Sequence, residues 1–518
     1  MLTPSVMFNT DSEYGRIKIF TDADEITEAN VVEIFNTAYD LHQYNAIKED
    51  WLFAYERGKQ AILDRVKPIR SDINEKLVIN KASQIVDIHV GYCFGNPITY
   101  VQRGKVEDDG RKPETTSDDD NSYIAMINKM MAEQGKAKKD VELARDYMIC
   151  GLGYQMVWKN DNESHYSPFK ITTLNPRTTF VVYKNDAFRE PMMGCTYFIN
   201  ADGSITATMY TKHLCFKLNK FVTDDGKYQG LEVTPNLLGE IPIVEFEHVD
   251  RMGVFEKVIS ILDRANVLNS DRVNDVAQHV QSLLWLHNCM IDDDKKKKLI
   301  DGDGVIVTKS NGDGKEAKIA YLSQVLNQSE VQTFADFLYR QVEEITSTPS
   351  WQEASGGSTT GAMQLSNGWQ SLELSAKSVE QSFREPELQI LRLVAKVIEN
   401  DNRGYMKVKK IDVSDIDIAM PRNKNYDLLS KTNALSTMIK TGVDGLWAFQ
   451  TVGLFSDAEQ AYMDSEKTIT AYQKSLTEKP KSDANASVSE DGKGGANNEP
   501  NDKAQESLQP SQVAQVED

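Results

Sequence analysis

Apolar residues recur at helical spacing through the first part of the chain. Ile26, Val32, Phe35, Ala38 and Leu41 predict a helix within residues 24–57, and a second follows over 80–92. The second ends where Gly95, Asn96 and Pro97 launch the strand ITYVQ, and a third, over 139–149, closes at Gly151 before a strand at 154–158. Residues 107–122 (EDDGRKPETTSDDDNS) are polar throughout and predict an exposed loop. The short runs FKITTL, TTFVVYK, MGCTYFI, ITATMYT, LCFKL and IPIVEF then alternate with turn pairs such as Asn185-Asp186 and Asp202-Gly203, the pattern of an antiparallel meander. This half reads as α+β.

Beyond Pro242 the period changes. Residues 250–286 lack proline and carry Val254, Val258, Ile261, Leu262, Ala265, Leu268, Val276, Val280 and Leu283 as one stripe. A helix of that length would run roughly 54 Å, well beyond the usual three turns. A small β-rich insert (WLHNCMI, GVIVTK, KIAYL) follows, then a helix over 329–346 with Val331, Phe334, Phe337, Leu338, Val342 and Ile345 on one side. Thr348-Pro349 stops it. Residues 349–361 (PSWQEASGGSTTG) form a loop by composition, and a third long helix is expected over 362–399, interrupted at Pro386.

The chain has 518 residues, 58 basic against 78 acidic, a net charge of −20. That balance argues against a protein that grips nucleic acid by charge, without excluding one that surrounds it. No apolar run approaches membrane-spanning length and no secretory pattern opens the chain, so neither export nor membrane insertion is expected. The five cysteines are scattered and predict reduced thiols. From Ser482 onward the sequence has no aromatic residue and is expected to be disordered.

Motifs for catalysis fail. No P-loop or H-E-x-x-H is present, and Gly312-Asp-Gly-Lys315 lacks the spacing that rings a phosphate. Ser167-Pro-Phe-Lys170 matches S-x-x-K but lies in a strand-like segment, where serine and lysine cannot meet. Asp118–Asp120 and Asp292–Asp294 are consecutive, which points their carboxylates apart; neither metal nor cofactor is expected.

In their order, several phrases resemble the portal proteins of tailed bacteriophages, in particular those of long-tailed phages of Gram-positive hosts. CFGNPITYV is similar to the family's helix end leading into a strand; NPRTTFVVYKNDAFREP to its proline-initiated strand and charged turn. GEIPIVEFEH followed by FEKVISILDRANVLNSDRVNDVAQ resembles its strand feeding a long helix, and SWQEASGGSTTGAMQLSNGWQ its glycine-rich loop and long helix. The likeness runs over about residues 80–467.

The resemblance implies a non-enzymatic ring, typically a dodecamer, at one capsid vertex of the virion, assembled in the host cytoplasm. It implies a wing (1–249, with the long helix and strands of 362–426), stem helices (250–286 and 328–348), a clip (287–327), a tunnel loop (349–361), a crown (427–478) and an acidic tail (479–518). Val258, Ile261, Leu262, Leu268, Val276, Phe334 and Leu338 would pack the stem. Asp292, Asp293, Asp294, Lys295, Lys296, Lys297 and Lys298 would lie in the clip, which docks the terminase large subunit and later the head–tail adaptor. Trp351, Gln352, Glu353, Ser355, Gly356, Gly357, Ser358, Thr359 and Thr360 would stand nearest double-stranded DNA passing without sequence readout. Major capsid and scaffolding proteins are further implied partners. Two other readings compete: a cytoplasmic scaffold built on a helical hairpin, and a metal-dependent nucleic-acid hydrolase with dispersed carboxylates.

Overall fold

The computed structural model describes residues 15–68, 71, 73–102, 118–162, 165–222, 227–280, 283–287, 289–290, 309–310, 318–322, 328–350, 368–401, 412–422, 428–452, 454–455 and 458–477. They fall into two units, residues 1–425 and 426–518.

The first unit is α+β. It opens with β1 (Ile19–Thr21), α1 (Val31–Glu56), α2 (Lys81–Phe94), β2 (Thr99–Gln102), α3 (Asp118–Glu133) and α4 (Lys136–Cys150). Eight strands follow: β3 (Leu152–Lys159), β4 (Phe169–Leu174), β5 (Thr179–Lys184), β6 (Pro191–Ile199), β7 (Ile205–Tyr210), β8 (Leu214–Val222), β9 (Lys227–Pro235) and β10 (Ile243–Glu247). They form two sheets where the sequence suggests one meander. β5 to β9 are the antiparallel meander, with β1 added in parallel to β5. β3 is instead the centre of a three-stranded sheet, paired with β4 on one side and on the other with β10, returning from the far end.

Each sheet has its own core. Val31, Phe35, Ala38 and Tyr39 of α1 bury one face of the meander against Phe180, Val182, Tyr197, Phe216 and Phe221. The three-stranded sheet packs beneath α4 and the later helix α7 (Trp369–Glu399), around Phe383, whose ring lies 4.5 Å from Phe246 and 4.8 Å from Phe94. Gly151 closes α4 at φ +78°, and a side chain there would strike the backbone of Arg251 and Met252 at 2.4 Å. Only glycine satisfies both demands.

The remaining elements of this unit are α5 (Ile259–Val280), β11 (Leu283–His287), β12 (Cys289–Met290), β13 (Lys309–Ser310), β14 (Lys318–Leu322), α6 (Gln328–Ile345), α7 (Trp369–Glu399) and β15 (Ile416–Ala419). β11 pairs with β14, β12 with β13, and β15 with β2.

Three expectations are corrected here. α5 is shorter than the stripe over 250–286 predicts: two 3₁₀ turns (Val249–Arg251, Glu256–Val258) precede it, and Leu283–His287 is a strand. At the far end the apolar spacing continues, but pairing Trp285 with Ala320 satisfies the backbone as a hairpin. Pro386 does not interrupt α7. Phe383, Glu387, Ile390 and Leu391 are all buried, and packing on both sides of the proline holds the helix through the missing hydrogen bond. The polar stretch 107–122 ends as helix, since α3 begins at Asp118 and is anchored by buried Tyr123, Ile127 and Met130.

The second unit is helical: α8 (Leu428–Lys440), α9 (Gly445–Val452) and α10 (Ala458–Thr477). Phe449 stacks on Phe455 at 5.5 Å and meets Tyr462 edge-on. A side chain at Gly445 would collide with the Tyr462 ring at 2.3 Å, so the glycine lets α9 approach α10.

Candidate assembly surface

The helical pair α5–α6, with its hairpin strands between, is gripped on one side by the residues after α1. Asn266, Ser270 and Asn274 stand four apart along α5 and are buried. Their partners are the backbone groups of every second residue of an extended segment running the other way. Asn266 Oδ1 accepts from the amide of Ile79 at 2.9 Å, Ser270 Oγ from that of Leu77 at 2.9 Å, and Asn274 Oδ1 from that of Glu75 at 2.7 Å. Four helical residues rise about 6 Å and two extended ones about 6.6 Å, so the two repeats stay in step over three rungs. A helix thus serves this strand as a sheet edge would.

Further contacts lock the clasp. Arg65 donates from Nη1 to Asp271 at 2.7 Å and from Nη2 to the carbonyl of Glu75 at 3.0 Å, while the Tyr55 hydroxyl donates to Asp263 at 2.8 Å. On its other side α5 meets α6. Asn269 donates from Nδ2 to the Tyr339 hydroxyl at 2.8 Å, and Arg272 from Nη1 to Gln332 at 2.7 Å. The far end of α6 is tied to α2, where His89 donates from Nε2 to the carbonyl of Thr346 at 2.9 Å. Burial lowers the His89 pKa to about 4, so this ring is neutral at physiological pH.

The expected stem residues separate into distinct roles. Val258 and Leu262 are buried in the core of the subunit itself, beside Phe255. Ile261, Leu268 and Leu338 are half-covered, whereas Val276 and Phe334 are exposed. Phe337 and Ile345 join Phe334 on the outer flank of α6, at 51, 51 and 47% exposure, and the two phenylalanine rings stack at 6.3 Å. Ala335 and Val342, on the adjoining side, are covered. One copy therefore covers only part of the apolar arc of α6. Sequence reasoning passed over Asn266, Ser270 and Asn274, although a polar i, i+4, i+8 series within an apolar helix is the trace they leave. Trp351, Gln352, Glu353, Ser355–Thr360 and Asp292–Lys298 lie outside the described residues.

Charged groups in the body of the subunit hold the frame. Lys136 is buried between Asp140 at 2.5 Å and Glu387 at 2.9 Å, and Glu387 also accepts from the Tyr100 hydroxyl at 2.5 Å. Burial pushes the Asp140 carboxyl up to about 6 despite Lys136 beside it. Arg251 joins Glu245 and Glu247 at 2.7 and 2.8 Å, and Glu245 accepts from the hydroxyls of Tyr154 and Tyr183. These carboxylates are committed to cations and phenols. Ser167 donates to the carbonyl of Phe169 and Lys170 stands in β4, so the S-x-x-K match carries no paired nucleophile. Among the described residues no group of three or more His, Cys, Asp or Glu could hold a metal ion, and no helix is long and apolar enough to cross a membrane.

Comparison with curated proteins finds no match. A family model described as phage portal protein, SPP1 Gp6-like, matches residues 38–467, taking in most of α1, the strands β2 to β15, the clasp, α5, α6, α7 and much of the helical unit. The chain belongs to the SPP1 Gp6-like phage portal proteins.

Proposed function

We propose that identical copies of this chain form a ring at one capsid vertex, through which double-stranded DNA enters during packaging and leaves on ejection. In this reading the β11–β14 and β12–β13 hairpins mark the end that docks the terminase large subunit and then the head–tail adaptor. The opposite side meets capsid and scaffolding proteins. The observation that carries it is the α5–α6 pair, fixed to the body by the clasp yet keeping Phe334, Phe337 and Ile345 uncovered. Such a flank suits repetition around an axis, since a contact between unlike faces closes into a ring when the rotation divides a full turn.

Charge supports a conduit. α5 and α6 together carry seven acidic and three basic side chains. With so few basic groups the pair offers phosphates few counterion-releasing contacts, so a duplex slides past it. Residues 351–360 would stand closest to the duplex, and shortening 355–359 should change the packaged length while leaving assembly intact. Negative-stain imaging of the purified full chain tests the reading. Rings with a stain-filled centre are expected; compact particles without an opening would refute it.

A further inference from the structure

The clasp and α6 sit on different sides of α5. Asn266, Ser270 and Asn274, which hold the clasp, and Asn269 and Arg272, which hold α6, lie on sides of the helix roughly 130° apart. Clasp, α5 and α6 are therefore three successive layers of a plate, with α5 in the middle. Both outer faces are apolar and uncovered. On α6 the uncovered residues are Phe334, Phe337 and Ile345; on the clasp they are Leu63, Val66 (82% exposed) and Leu77.

The two faces also differ in charge. Over residues 57–79 the described basic side chains are Arg57, Lys59, Arg65, Lys67 and Lys76, against acidic Asp64 and Glu75. Arg65 and Lys67 share Asp271 of α5 beneath them. On the outer side of α6 the exposed Glu330 and Glu344 flank Phe337, whereas Glu343 faces Lys81 of its own copy at 4.0 Å and Asp336 accepts from Gln332. A basic apolar face and an acidic apolar face on opposite sides of one plate complement each other between copies and cannot meet within one.

Resting on the ring reading above, we propose that neighbouring copies join head to tail, the outer face of α6 in one seated on the clasp at residues 57–79 of the next. The clasp thus has two functions: it fixes α5 internally and receives the adjoining α6 externally. The contact is heterologous, as ring closure requires, and leaves neither face spare.

Bismaleimide cross-linking of the full chain carrying both Val66→Cys and Phe337→Cys tests this. Cys93, Cys150, Cys195 and Cys215 are buried, and the unmodified chain, which keeps these and Cys289, controls for background. The double variant should give a ladder of covalent oligomers on a denaturing gel, and each single variant alone none. Rings of normal size without that ladder, or cross-linking by Phe337→Cys alone, would overturn this pairing while sparing the ring. Absence of rings from the unmodified chain would remove both. Val66→Glu provides a second readout, since a side chain so exposed can be changed without unfolding one copy. Its charge, buried unpaired at the junction, should raise the concentration for half-assembly about tenfold or more. An unchanged midpoint with native circular dichroism would contradict the proposal, and so would a partner protein, rather than a second copy, protecting Val66.

Discussion

Asn274 makes a two-way bond with the backbone of Glu75: its Oδ1 accepts from the amide at 2.7 Å and its Nδ2 donates to the carbonyl at 3.3 Å. One buried side chain thereby satisfies both backbone groups of a residue 199 positions away. Asn274→Ala leaves the amide of Glu75 without a partner, its carbonyl keeping Arg65 at 3.0 Å, and should cost about 1–3 kcal/mol. Amide exchange should rise first over residues 73–79, because that segment has no sheet to fall back on. Unchanged protection there would show that water replaces the side chain at no cost.

Lys136→Met leaves Asp140 and Glu387 buried side by side without their cation. Removing one partner of a buried ionic group costs about 3–5 kcal/mol, so the melting temperature should fall by many degrees. Lys136→Arg, which keeps the charge, should lose less. Equal melting temperatures for the methionine variant and the parent would show that the two carboxylates already share a proton.

Glu49 is buried with no hydrogen-bond partner on either carboxylate oxygen among the described residues. Burial pushes its pKa from 4.5 up to about 8, against the pull of Arg16 and Arg251. The folded state holds this proton more tightly than the unfolded state. Its contribution is therefore complete below about pH 4.5 and is lost as pH rises towards 8. Glu49→Gln should flatten that decline and raise stability at pH 8. His42 and His89, both lowered by burial to about 4, act in the opposite sense, losing stability as pH falls from 6.5. Denaturant midpoints of parent and variant between pH 4 and 9 separate the two.

Val276 is half-exposed on α5, so Val276→Asp should fold normally as a single copy but fail to assemble, because the stem junction buries an unpaired charge. Leu268→Asp is the poorer probe, since Leu268 is half-covered within the subunit and its loss mixes folding with assembly. Normal rings from Val276→Asp would place that side chain in solvent.

Legibility in the sequence followed the kind of interaction. Alternating strands such as FKITTL coincide with β4, and the stripe Val331–Ile345 with α6, because local periodicity reports burial directly. The split of the strands into two sheets was not legible, since β10 pairs with β3 across 91 positions (Tyr154 with Glu245) and nothing local records that return. β9 escaped notice because KYQGLEVTP presents little apolar alternation. The clasp was hidden for a different reason. Backbone groups at 75, 77 and 79 do its bonding, and backbone carries no residue signature; only the Asn266, Ser270, Asn274 series hints at it.

On the ring reading, one copy is an incomplete object, closed by its identical neighbours. Native mass spectrometry of the purified full chain tests this most directly. A single closed species at a fixed multiple of 58.3 kDa, persisting on dilution, is predicted. A lone species at 58.3 kDa under every assembly condition would contradict it.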